Sequence, residues 1–229
     1  MKSWLQHLAL LLLCCAGAAT HAGRPLQTED AGVLEAKACE LEAVYERARA
    51  SGAAAISRSL QVGCGIGWQT QVALAAARAQ TLGERAERYA INGKTALLAP
   101  KDDAAAITLA WSLDTHRGAG SGLRHESSAL NLVLTQPQGD WLMHANLGWN
   151  HSRSARQSTT AYSVAVERTR LGAFDLMAEL FADDRSEATL NFGLRFGALP
   201  ERLWLDASWG RQLASPRAKL VSVGLKLAF

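Results

Sequence analysis

His116, His125, His144 and His151, with Ser121, Ser127, Asp114, Asp183 and Asp184, supply the residue types from which a nucleophile and its base are built. A hydrolytic site made from them would need a Ser and a His on neighbouring strands facing lipid. Their spacing forms no recognisable motif, and no pair of cysteines and histidines has metal-ligand spacing. His144 sits at a polar position of an alternating run, where a satisfied hydrogen bond is the commoner role. Asp183-Asp184-Arg185 reads as solvated loop charge. No catalytic residue, metal site or cofactor is assigned from these residues.

A second chemistry is open to Cys39 and Cys64. If Ala50 to Ala53 lies in a hairpin loop, residues whose numbers sum to about 103 face each other. Cys39 and Cys64 satisfy that sum and share the outward parity of Leu41 and Leu60. A disulfide across adjacent strands is therefore expected, in an exported protein where such bonds persist.

The third chemistry is charge. Glu40, Glu42, Glu46, Glu167, Glu179 and Asp206 alternate with apolar residues, as do Arg88, Lys94, Arg195 and Lys226. If these point into one narrow space they either pair into a bracing or plugging network or line a wet channel and set its selectivity. Both outcomes stay open. The residues expected at the lumen or selectivity positions are Glu40, Glu42, Arg88, Lys94, Glu167, Glu179, Arg195 and Lys226.

What must position these groups is a strand with two different faces. The last eleven residues, KLVSVGLKLAF, place Val221, Val223, Leu225, Leu227 and Phe229 on one parity and Leu220, Ser222, Gly224, Lys226 and Ala228 on the other. The same period-two pattern recurs from Ala104 onward in runs of about ten residues separated by turns, the length a tilted strand needs to cross hydrocarbon. Between Glu35 and Ala90 it is less regular, and EAKACELEAVYERARA and QVALAAARAQTLGERAERYA also suit helices by intrinsic preference. Reading these as strands gives about twelve, an even number, and an all-β, antiparallel up-and-down transmembrane β-barrel.

The polar parity is dominated by Asn, Gly, Ser, Thr and isolated charges, which suits a lumen; the apolar parity then meets lipid. Trp68, Trp111, Trp141, Trp149, Tyr162, Trp209 and Phe229 are expected near strand ends, at the headgroup boundary, while Trp204 lies on the polar parity and fits neither face. A soluble barrel or sandwich with this apolar face as its core is the competing fold.

Residues 1–22 read as a cleaved secretory signal: Lys2, an apolar run from Leu8 to Ala19, then Thr20-His21-Ala22. Residues 23–36 are expected to be a periplasmic N-terminal segment and 37–229 an outer-membrane β-barrel. The formal charge of +3 drops by one when Lys2 leaves, so bulk charge gives no support to nucleic-acid binding. The expected location is the bacterial outer membrane. Expected partners are membrane lipids, the outer-membrane assembly machinery and a small-molecule solute.

Two stretches resemble known barrels. Arg24-Pro25-Leu26, Thr28-Glu29-Asp30-Ala31 and Glu40-Leu41-Glu42 resemble, in that order, the start of an outer-membrane barrel family of transporters linked by name to the MetA pathway of phenol degradation. The terminal Phe229, with alternate hydrophobic residues before it, resembles the signal that delivers outer-membrane barrels to their assembly machinery. The first resemblance implies passage of small molecules through a narrow polar lumen. A membrane-embedded lipid hydrolase and a structural barrel without transport are the other readings.

Overall fold

Every regular element in the computed structural model, which describes residues 24–99, 103–117 and 122–229, is a β-strand. The expected signal peptide, residues 1–22, lies outside the described residues. The strands are β1 (Cys39–Ala50), β2 (Ala53–Gly67), β3 (Thr70–Thr81), β4 (Glu84–Leu98), β5 (Ala106–Arg117), β6 (Arg124–Gln138), β7 (Trp141–Ser152), β8 (Gln157–Leu171), β9 (Phe174–Asp183), β10 (Ser186–Leu199), β11 (Leu203–Gln212) and β12 (Lys219–Ala228). They form one closed barrel in sequence order, with β1 paired to β12. The two Ala- and Glu-rich stretches that suit helices locally are β1, β3 and β4. Pairing along a closed sheet outweighs an intrinsic preference of a fraction of a kcal/mol per residue.

Closure follows from what hydrocarbon does to an unpaired edge, where each free N–H or C=O costs several kcal/mol. Register runs without a break from Glu40↔Ala228 to Arg49↔Lys219. Phe229 extends the seam: Cys39 and Phe229 exchange both backbone hydrogen bonds, each 2.9 Å. Tight turns keep most connections short. In Ser51-Gly52 (φ 47° and 83°) and Leu82-Gly83 (φ 51° and 88°), both residues adopt the positive φ of the primed turns that match hairpin twist.

The barrel is inverted relative to a soluble domain. Leu60, Leu74, Leu113, Leu147, Val164, Leu176, Phe192 and Val223 are exposed on the outer wall, whereas Glu42, Thr108, Ser112, His144, Glu179 and Asn191 are buried inside. This is the reverse of a soluble barrel or sandwich, since among the described residues most large apolar side chains line the outside and not a core. Trp141 opens β7 and Phe229 ends the chain, as expected of boundary aromatics. Trp111 and Tyr162 instead lie in the middle of β5 and β8, and the Trp111 ring covers the outer face of Gly93. Trp204 stands on the lumen side beside Gly197, at the end of the barrel where β1 starts and β12 ends.

Cys39 and Cys64 are joined, with a Cα separation of 4.1 Å and a register in which every β1–β2 pair obeys the same sum. Cys39 spends its backbone groups on Phe229, so it faces Cys64 as a non-hydrogen-bonded pair, the closer of the two antiparallel pairings. A chain that starts at residue 23, unfolded, is expected to leave a thiol reagent unreacted until a reductant is added, and then to take up two equivalents; labelling without reduction would contradict the bridge.

Candidate functional site

The lumen is occupied by the chain's own N-terminal segment. Arg24 to Leu34, expected as a periplasmic lead-in, runs inside the barrel wall and touches strands around most of its circumference. The Arg24 guanidinium donates to both Asp206 carboxylate oxygens, at 2.8 and 3.2 Å, and its carbonyl accepts from Arg195. The Glu29 N–H donates to Asn146 Oδ1 at 2.6 Å, and Ala31 N–H to Thr135 Oγ1 at 2.8 Å. Leu34 N–H reaches Gln71 Oε1 at 2.8 Å, after which the chain turns into β1.

Glu179 is the centre of this docking. Its buried carboxylate accepts from Gln27 N (2.8 and 2.9 Å), Thr28 N (2.7 Å), Thr28 Oγ1 (2.7 Å) and Asn191 Nδ2 (2.7 Å). A charged acceptor with that many donors is satisfied without a cation beside it. The apolar side chains of the segment also find seats. Leu26 packs with Ala165 and Met177, and Ala31 with Ala106 and Val133, all at lumen positions. Space comes from missing side chains: a Cβ on Gly193 would stand 2.5 Å from Pro25 Cγ, and one on Gly224 would overlap the Arg24 guanidinium.

The other residues expected at the lumen are there, mostly as pairs. Lys226 bonds Glu40 and lies 3.7 Å from Glu42; Arg195 reaches Glu167 at 2.8 Å. Lys94 donates to the Asp30 carbonyl at 2.7 Å and sits 3.7 Å from Glu29 and 3.8 Å from the Asp30 carboxylate. Arg88 lines a separate hollow with Gln27 and Glu46. His144 bonds Thr135 at 2.9 Å, the satisfied role expected of it. Sequence reasoning did not assign Arg24, Thr28, Glu29 and Asp30 to the lumen, because a segment without periodicity carries no sign of which wall it lies against.

Beside the segment a cavity of about 220 Å³ remains, lined by Glu29, Asp30, Glu40, Glu42, Asn92, Lys94 and Lys226 among others. Burial raises the Asp30 pKa, but Lys94, Lys226, His144 and the Gly32 N–H outweigh it and hold the carboxyl at about 2, down from 3.8. Among the described residues no group of His, Cys, Asp and Glu could hold a metal ion. Ser121 lies outside the described residues. Ser127 hydrogen-bonds Asp114 inside the lumen (3.4 Å), while His151 Nδ1 and Ser158 Oγ, 3.0 Å apart on β7 and β8, face outward. Among the described residues no carboxylate hydrogen-bonds His151, so the pair lacks the group that would orient a base.

A family model described as "Uncharacterised conserved protein UCP029691" matches residues 9–229, and the chain belongs to that family. No curated protein matches. Among solved structures, the chain is similar to the "KdgM porin in complex with disordered oligogalacturonate" (TM-score 0.66, 12% identity, 83% of this chain and 99% of that one). It is similar to the NanC porin (0.60, 11%, 82% and 98%) and to the COG4313 outer membrane channel from Pseudomonas putida F1 (0.61, 9%, 87% and 98%). At such identities the likeness establishes the fold alone, the one that these outer-membrane β-barrels share.

Two outcomes test the docked segment. Glu179→Ala removes the acceptor of three backbone or hydroxyl donors, worth about 1.5–3 kcal/mol for bonds to a charged group, so the Thr28 amide should exchange roughly tenfold to a hundredfold faster; unchanged exchange would contradict the contact. A depressed folded-state pKa means that Asp30 stabilises docking fully above about pH 4 and that this contribution is lost as pH falls through about 2. The Gly32 amide shift, reporting its 2.6 Å bond to Asp30, should titrate near 2 and not near 3.8.

Proposed function

We propose that this member of the family is an outer-membrane channel for small polar solutes, closed by its own N-terminal segment and opened when that segment withdraws. The observation that carries the reading is the polarity of the docking. Apart from Pro25, Leu26 and Ala31, the segment is held by hydrogen bonds and ion pairs that water can replace, as a removable occupant of a wet pore requires. About half a dozen such contacts at roughly 1 kcal/mol net each favour the closed arrangement by several kcal/mol, so the open form is a minor state, on the order of 1% or less.

The wall left behind is acidic. Glu40, Glu42, Glu46, Asp114, Glu167, Asp175, Glu179 and Asp206 outnumber Arg88, Lys94, Arg195 and Lys226, which favours cationic or neutral polar solutes over anions. The resemblance of Arg24-Pro25-Leu26 and Thr28-Glu29-Asp30-Ala31 to transporters linked to phenol degradation supports small-molecule passage. Those same residues make the lumen contacts.

One observation favours a second reading. The outward His151–Ser158 pair has the placement a lipid hydrolase needs, although its base lacks an orienting carboxylate among the described residues.

In planar bilayers the full chain should be silent or open rarely, and a variant lacking residues 24–34 should give stepwise conductance with a cation-preferring reversal potential. A folded, heat-modifiable deletion variant that stays silent would sink the channel. Phospholipid hydrolysis by the full chain, lost in Ser158→Ala, would install the hydrolase in its place.

A further inference from the structure

Above the apolar belt, on the side of the barrel where β1 closes on β12, the outer wall turns basic within one step. Along β11 the outward row runs from Trp209 to Arg211, along β12 from Val221 to Lys219, and along β1 from Tyr45 through Arg47 to Arg49. Register puts these cations side by side, since Arg211 is directly opposite Lys219 and Lys219 directly opposite Arg49. All three are exposed. Like charges directly opposed across a sheet destabilise it.

Two other outward arginines have an acidic partner, while Arg58, directly opposite Arg78, lies over the Tyr45 ring. Arg78 pairs with Glu87 at 3.2 Å and Arg168 with Asp140 at 2.8 Å. Among the described residues Arg49, Arg211 and Lys219 have no acidic neighbour within ion-pair distance. At the other end of the same strands the outward rows finish on Cys39, Leu203 and Phe229 without a cation. On these three strands the outward charge therefore stands at one rim.

We propose that Arg49, Arg211 and Lys219 form a binding site for the phosphate of a lipid headgroup, seated at the closing seam of the barrel. Adjacent strands stand about 4.8 Å apart, so the three side chains start from neighbouring positions close enough for phosphate oxygens to bridge. The row lies two residues, about 7 Å, beyond Trp209 and Val221, so a lipid whose phosphate sits on the cations can lay its acyl chains against the apolar belt. That continuity with the belt selects a lipid over a soluble anion. The bound phosphate removes the repulsion at the one strand pair formed by the two ends of the chain. The site is independent of whether the lumen conducts.

Native mass spectrometry of the full mature protein in detergent tests it, with bisphosphorylated lipid A and the same lipid stripped of phosphate as probes. The phosphorylated form should bind at concentrations at least tenfold lower than the stripped form. Arg49→Gln/Arg211→Gln/Lys219→Gln should abolish that preference, and Arg153→Gln/Arg156→Gln on the far flank should retain it. Heat-modifiable migration certifies folding; if the triple variant does not fold, Lys219→Gln alone should reduce the preference several-fold. Equal binding of the two lipids, an undiminished preference in the folded seam variant, or full displacement by equimolar inorganic phosphate would each overturn the site.

Discussion

A narrow barrel must give every charge on its inner wall a partner. With the N-terminal segment docked, little room for water remains beside the carboxylates, and Glu40, Glu42, Glu167, Glu179 and Asp206 are all buried. Three of these find cations on the wall itself: Glu40 and Glu42 share Lys226, and Glu167 takes Arg195. Glu179 and Asp206 are answered by the N-terminal segment, through Gln27 and Thr28 in one case and Arg24 in the other. The segment is therefore part of how the interior is satisfied, and its position is set by the wall's charges as much as by the turn that leads into β1.

The outer wall obeys the complementary rule. Its apolar rows have no protein partner and need acyl chains, while at the closing seam the outward cations Arg49, Arg211 and Lys219 share one rim. Alternation along each strand lets one sequence serve both environments. A one-residue slip would drive carboxylates into hydrocarbon, so register is strongly fixed.

Much of this was legible in the residues. The parity of Leu130, Leu132 and Leu134 against Asn131 and Thr135 gave the two faces, and the sum rule for Cys39 and Cys64 gave the first hairpin to the residue. β1, β3 and β4 were less plain because Ala, Glu and Arg favour helices locally and only long-range pairing overrides them. The N-terminal segment was illegible for a different reason. Its partners lie 151 and 182 residues away, and nothing periodic links Thr28 to Glu179 or Arg24 to Asp206. A faint sign did exist: Val133, Ala165 and Met177, with Gly193 and Gly224, interrupt the polar parity where Leu26, Ala31, Pro25 and Arg24 dock. Apolar or absent side chains on a lumen face mark where something other than water lies.

The account turns on that docked segment, and the most direct measurement is the magnetisation transfer between methyl groups of Leu26 and Met177 in the full protein in detergent micelles. These side chains share a buried cluster with Ala165, so a strong cross-peak between their methyls is predicted. Leu26 methyls at random-coil shifts, with no cross-peak to Met177, would mean that the lumen is empty of its own chain.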